Sequence, residues 1–183
     1  MNTDNYLLTY SGKYVNLLDP DPACIDIIDI AHALSQINRF GGHTRTQYSV
    51  AQHCIHLSRL LPAESRLHGL LHDAAEAYLG DLVSPLKYQS FSAKYRDAES
   101  YFQSVIFKKF GCSAGTPGEI HEQIRMADLI MLATERRDLM PPDAHCWPVL
   151  DGIKPLAMRI WPLGSRVAET SFLTTFKELT GMQ

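Results

Sequence analysis

The chain has 183 residues, 45% of them hydrophobic and 20% charged, with a formal net charge of −3. That length supports one well-buried core and falls short of two ordinary domains, so residues 1–183 are expected to form a single domain. The acidic balance argues against DNA, RNA or an anionic membrane as partner, but not against a small anionic substrate met by a few well-placed cations.

Residues 6–18 alternate weakly and turn at Ser11-Gly12, which fits a short N-terminal β-hairpin. From there the pattern is helical. Ile25, Ile28, Ala31, His32 and Leu34 fit a first helix that ends near Arg39-Phe40-Gly41-Gly42. Residues 47–61 read as a second helix closed by Pro62, and Pro62 opens a third that runs to Leu79 with Gly80 as its C-terminal cap. Residues 92–110 make a fourth, with Tyr101, Phe102, Val105, Ile106 and Phe110 on one face. Thr116-Pro117-Gly118-Glu119 reads as a capping box, opening a helix that carries Ile124, Asp128, Met131, Leu132 and Glu135 at three- and four-residue spacing. Residues 138–163 are proline-rich and irregular, with Trp147 and Trp161 as packing anchors. A last helix covers about 165–180, with Val167, Phe172, Phe176 and Leu179 as its apolar stripe. The expected fold is a mainly α, single-domain helical bundle.

No window approaches the run of about 18 apolar residues needed for a membrane span. The opening Met1-Asn2-Thr3-Asp4 lacks the basic-then-apolar pattern of a signal peptide, so a cytoplasmic protein is expected. Cys24, Cys54, Cys112 and Cys146 form no Cys-x-x-Cys pair and read as reduced, mostly structural thiols.

His72-Asp73 is the feature that points to chemistry. An imidazole and a carboxylate side by side on an otherwise apolar helix are costly to bury unless something pairs with them, and a divalent metal takes both. His53 upstream and Asp128 downstream fall on two other expected helices, and facing helices of a bundle can project such side chains onto one ion. Two imidazoles and two carboxylates suit Mn²⁺, Co²⁺, Fe²⁺, Ni²⁺, Zn²⁺ or Mg²⁺ alike. Glu76, four residues after His72 and three after Asp73, shares their helix face. It is either a general acid–base or a carboxylate that hydrogen-bonds a ligand histidine. Arg39 suits bidentate phosphate binding, and Phe40 beside it suits either stacking or the core. His43 and Arg45 follow in the glycine-rich turn.

Tyr48-Ser49-Val50-Ala51-Gln52-His53, Leu71-His72-Asp73-Ala74-Ala75-Glu76-Ala77-Tyr78-Leu79-Gly80-Asp81, Pro85-Leu86-Lys87 and Ala127-Asp128 resemble the HD-domain phosphohydrolases. Among these the chain is most similar to small single-domain deoxynucleotide hydrolases. Arg39-Phe40-Gly41-Gly42-His43-Thr44-Arg45 and Thr134-Glu135-Arg136-Arg137-Asp138-Leu139 lean toward the phage-type dATP triphosphohydrolases and related bacterial enzymes. The resemblance spans about Arg39 to Arg137. It implies His53, His72, Asp73 and Asp128 as metal ligands, Glu76 and Asp73 as catalytic groups, Asp81 on the deoxyribose 3′-hydroxyl, and Lys87 with Arg39 on phosphate, with Phe40 and His43 as further substrate contacts. The bland alternatives are a turn aspartate at position 81 and a solvated lysine at 87. The next histidine after His72 is His121, about 10 Å along its helix from Asp128. That spacing favours one ion per chain over two.

The resemblance therefore implies a metal-dependent deoxynucleotide phosphohydrolase, first hydrolysis of dATP to deoxyadenosine and triphosphate. The alternatives are a 5′-deoxynucleotidase acting on monophosphates and a nucleotide-binding regulatory module without turnover. A homo-oligomer is implied too, in the host cytoplasm for a phage-encoded enzyme.

Overall fold

Apart from a short hairpin the chain folds into helices, and a computed structural model describes residues 5–112 and 117–182. Strand β1 (Tyr6–Leu8) pairs antiparallel with β2 (Tyr14–Asn16), Leu7 opposite Val15. Val15 alone of these points fully inward. The backbone N–H and hydroxyl of Ser11 donate to the buried Asp29 carboxylate at 2.6 and 2.8 Å, tying the turn to the first helix.

Helix α1 (Ile27–Gln36) starts on Asp26, whose carboxylate accepts from the Ile28 N–H, and buries Ile30, Ala31 and Leu34. It ends before the glycines that were expected to stop it. The chain turns extended at Ile37, and Asn38 pairs with Ser49 in an isolated antiparallel bridge. The bonds Arg39 N–H to Tyr48 O (2.9 Å) and Val50 N–H to Ile37 O (3.0 Å) close the loop between them. Arg39 is thereby fixed beside the start of α2 (Val50–Leu60), which Ser49 caps. Helix α2 is buried almost all round and packs against α1 and three later helices, the pattern of a central helix.

The expected third helix is broken. Helix α3 (Arg66–Leu71) and the single turn α4 (Glu76–Leu79) flank residues 72–75, where Ala74, Glu76, Ala77 and Tyr78 bond three residues back instead of four. The side chain of Gln103 accounts for the break. It accepts from the Ala75 N–H at 3.0 Å and donates to Leu71 O at 2.7 Å, the two groups that would bond each other in a regular helix. Gly69 lets α3 approach α2, since a Cβ there would lie 3.2 Å from Ser58 Cα. Gly80 ends α4 with φ +80°, as its position predicts.

Short α5 (Ser84–Lys87) leads to α6 (Ala93–Lys109), which contributes Gln103 and braces the 80–92 stretch through Tyr95 OH to Gly80 O and Ser92 Oγ to Leu86 O. Phe102 and Ile106 form its buried face, whereas Tyr101, expected beside them, is exposed. Thr116 of the expected capping box lies outside the described residues. Helix α7 (Pro117–Leu139) runs past α2, and α8 (Ser165–Thr180) packs on α1, α2 and α3 through Ala168, Phe172 and Phe176. Val167 faces solvent instead.

Residues 140–164 hold only a single 3₁₀ turn and are otherwise irregular, as expected, but Trp161 does not anchor them: it is 79% exposed. Hydrogen bonds do so. Arg137 donates to Leu156 O and Met158 O, Asp138 accepts from the Ile160 N–H, and the Gln52 amide bonds Trp161 O and the Leu163 N–H. The core divides into a larger cluster around Ile30, Leu34, Ile55, Leu71, Phe102 and Phe172 and a smaller one around Tyr48, Leu57, Met131 and Leu139. The candidate site lies where α2, the α3–α4 break and α7 face one another. No helix among the described residues is long and apolar enough to cross a membrane.

Candidate metal centre and adjoining cavity

His53 is fully buried on α2, His72 and Asp73 sit in the break after α3, and Asp128 projects from α7. His53, His72 and Asp128 each bring one ligand atom within 4.8 Å of the others. Asp73 Oδ2 adjoins both rings, 3.1 Å from His72 Nε2 and 3.9 Å from His53 Nε2. The four expected ligands are thus brought together.

Both imidazoles are set for coordination through Nε2. His72 Nδ1 lies 2.8 Å from Gly69 O, which only accepts, so Nδ1 carries a proton and Nε2 is the nitrogen turned to Asp73 and open to an ion. His53 Nδ1 lies 2.6 Å from Glu135 Oε1, and a carboxylate partner fixes the same tautomer. His53 Nε2 and Asp128 Oδ1 are 3.2 Å apart and buried, and neither has a hydrogen-bond partner. Two facing orphans of this kind cost several kcal/mol unless a third group joins them. A divalent ion fits that position, the donor set and both tautomers.

Electrostatics keep the acids ionised. Burial works against Asp73, but His72, His53 and Arg39 outweigh it and hold its carboxyl far below the usual range. Asp128 is likewise lowered to about 2, burial being overcome by the adjacent His53 ring and by Arg39. A second group, Cys54 with His72 and Asp73, also lies within 4.8 Å. Burial pushes the Cys54 thiol up to about 11, so it stays protonated and is the poorer ligand.

Glu135 is the residue that sequence reasoning left without a role. It is completely buried, accepts from His53, and accepts from Arg39 Nη2 at 3.0 Å. Arg39 and His53 outweigh burial and keep its carboxyl lowered. Its signal in the sequence is its place seven residues after Asp128, two turns along the same face. With Glu135 on His53 and Gly69 O on His72, Glu76 hydrogen-bonds neither ligand histidine. Glu76 is buried, its Oε2 has no partner, and burial with the Asp73 and Asp81 carboxylates pushes it up to about 10.

Arg39 reaches the ligand carboxylates as well, 3.7 Å from both Asp73 and Asp128. Arg39, Phe40, His43 and Asp81 share one cavity of about 790 Å³, which continues between Pro85, Leu132, Trp147 and Val149. Asp81 caps no helix, since Val83 precedes α5, and burial raises its carboxyl. Lys87 is not in that cavity and is not a solvated lysine. It lines a separate recess of about 150 Å³ with His72, Asp73 and Glu76, bonds Glu99 at 2.8 Å, and lies 3.7 Å from Glu76. Arg45 instead closes the end of α7, its backbone on Leu139 O and its guanidinium on Asp138 O.

No family model matches the sequence. Over 182 residues it is 40% identical to the uncharacterized protein YfdR of Escherichia coli (strain K12), with 98% of both chains covered. The chain belongs to the YfdR family. An uncharacterized protein of Rhodobacter capsulatus is 33% identical over 138 residues, 70% of each chain.

Proposed function

We propose that this protein is a metal-dependent phosphohydrolase of the HD-domain type acting on deoxynucleotides. The observation that carries the reading is the pair of buried atoms without a hydrogen-bond partner, His53 Nε2 and Asp128 Oδ1, set beside His72 and Asp73, with Arg39 3.7 Å from both ligand carboxylates and lining a cavity with Asp81. His53, His72, Asp73 and Asp128 would hold the ion. When bound, it polarises a phosphoryl oxygen and lowers the pKa of the attacking water.

The chain's own groups supply the rest. Arg39 presents a planar fork of donors at the edge of the centre, suited to phosphate oxygens and to the charge that builds up as the bond to the leaving oxygen breaks. Glu76, whose carboxyl is pushed up by burial and the Asp73 and Asp81 carboxylates, holds a proton in a buried position one turn from Asp73 and acts as the general acid–base. Lys87, held by Glu99, supplies positive charge beside Glu76 in the recess that His72 and Asp73 also line. Asp81 accepts from a sugar hydroxyl.

The first substrate is dATP, cleaved to deoxyadenosine and triphosphate; a deoxynucleoside monophosphate, cleaved to orthophosphate, is the alternative. Purified protein, stripped with chelator and reloaded with Mn²⁺, Co²⁺, Mg²⁺ or Zn²⁺, would be given each deoxynucleotide and the products separated by anion exchange. Triphosphate from dATP is the expected product. Orthophosphate from monophosphates alone selects the nucleotidase, and nucleotide binding without any metal-dependent product leaves a binding module.

A further inference from the structure

We propose that Phe40 and Trp147 form the wall on which the base of a nucleoside or nucleotide ligand stacks. The placing of the phosphate rests on the phosphohydrolase reading; the stack itself is testable without it. The two rings meet in the large cavity with centroids 6.4 Å apart and planes tilted by 50°. Leu132 and Val149 extend the apolar surface beside them. The volume, about 790 Å³, falls among those of small-ligand sites.

The chemistry gathered in the cavity specifies the ligand. Arg39, 3.7 Å from Asp73 of the metal centre, lines the cavity together with the Asp81 carboxylate and the two aromatic rings. Their counterparts are an anion, a hydroxyl donor and a flat π-face, the three parts of a nucleotide. A sugar phosphate lacks the third part and an acyl phosphate the second.

Trp147 is held in advance of binding. Its indole Nε1 donates to Asp143 Oδ2 at 3.0 Å, and the Arg136 guanidinium sits 4.7 Å from its ring centroid. Arg136 and Asp143 line a different cavity, of about 480 Å³, so the indole is a partition backed by a cation. Phe40 is fixed by its backbone: it is the one non-glycine residue with positive φ (57°) among those described, which directs the ring into the cavity. A wall ordered in this way gives up little side-chain entropy when a base stacks on it.

The protein has two tryptophans, and the other, Trp161, is largely solvent-exposed, so Trp161→Phe leaves Trp147 as the sole reporter. That variant, without metal, would be titrated with deoxyadenosine and separately with deoxyribose 5-phosphate, following tryptophan emission. Saturable quenching by deoxyadenosine and none by the sugar phosphate is expected. In the loaded protein, Trp147→Leu is expected to raise KM for the deoxynucleotide about tenfold, as loss of one base–aromatic stack requires, with kcat and Mn²⁺ affinity unchanged. Deoxyadenosine that leaves emission unmoved, or an unaltered KM in Trp147→Leu, overturns the stack. Hydrolysis alongside unmoved emission removes the stack and leaves the enzyme reading standing, whereas quenching without hydrolysis does the reverse.

Discussion

The Glu135 carboxylate binds His53 through one oxygen and Arg39 through the other, at 2.6 and 3.0 Å, with no part of its side chain exposed. One buried acid therefore sets the tautomer of a candidate metal ligand and the place of a candidate phosphate ligand. Glu135→Gln keeps an acceptor for His53 and removes the charge that lets a guanidinium and a dication share the site. Mn²⁺ affinity measured by calorimetry should fall by about 10- to 100-fold, the usual cost of losing such an outer partner. Glu135→Ala should also destabilise the metal-free protein by about 3–5 kcal/mol, because Arg39 is left less compensated in the interior. Unchanged Mn²⁺ affinity in Glu135→Gln would mean that the carboxylate serves the fold alone.

Gln103 supports a prediction with opposite signs. Adjacent residues of a regular helix point about 100° apart, so His72 and Asp73 would diverge if the helix ran on. They meet at 3.1 Å in the stretch where Gln103 replaces the bond between Ala75 N–H and Leu71 O. Gln103→Leu frees those two groups to bond each other. Helicity and thermal stability should hold or rise, while Mn²⁺ affinity drops by about tenfold or more. Affinity and stability falling together would mark Gln103 as an ordinary packing residue.

The contrast between these residues shows what the sequence made legible. His53, His72, Asp73 and Asp128 could be read because ligand chemistry uses few residue types and the helical periods place them. The hairpin followed from its alternation and turn residues, the central helix from the proline that closes it, and the final helix from its apolar stripe. The break at 72–75 was not legible, since its cause is an amide 28 residues downstream, and Leu71-His72-Asp73-Ala74-Ala75 contains no glycine or proline to mark it. Glu135 was visible as a helix-face residue but not as the partner of His53, because one face of a 23-residue helix meets several neighbours. The expectation for Trp161 failed for a related reason: hydrophobicity marks a residue as able to pack, while Gln52, Arg137 and Asp138 had already fixed that segment through its backbone.

Phe40 carries a strain that can be removed. Its φ of 57° and ψ of 28° lie in the left-handed region, costing an L-residue about 1–2 kcal/mol. Phe40→Ala deletes the ring and retains the strain, whereas Phe40→Gly deletes both. Glycine should therefore be the more stable variant by about 1 kcal/mol, against the usual order of the two residues. Urea unfolding of the pair decides it. Alanine equal to or above glycine would show that the turn relaxes out of the left-handed region.

Asp138 governs the response to acid at a distance from the candidate site. Its side chain is 3% exposed and accepts from Arg137 Nε (2.7 Å), Arg159 Nη1 (2.6 Å) and the Ile160 N–H (2.9 Å). Arg137 foremost, against the opposing effect of burial, holds its carboxyl well below the ordinary value. A folded pKa below the unfolded value of about 3.9 stabilises the protein above that pH, and the contribution is lost as pH falls toward the folded pKa. Asp138→Asn should therefore be less stable at pH 7 by about 2 kcal/mol, the loss of a charge-assisted bond. The deficit should shrink as pH falls below about 4, because the unfolded wild-type chain then takes up a proton that the folded carboxylate does not, while the amide does not titrate. Urea unfolding of both proteins at pH 7, 5 and 3 measures the difference directly. A deficit that stayed constant across that range would assign the stabilisation to the shape of the side chain and not to its charge.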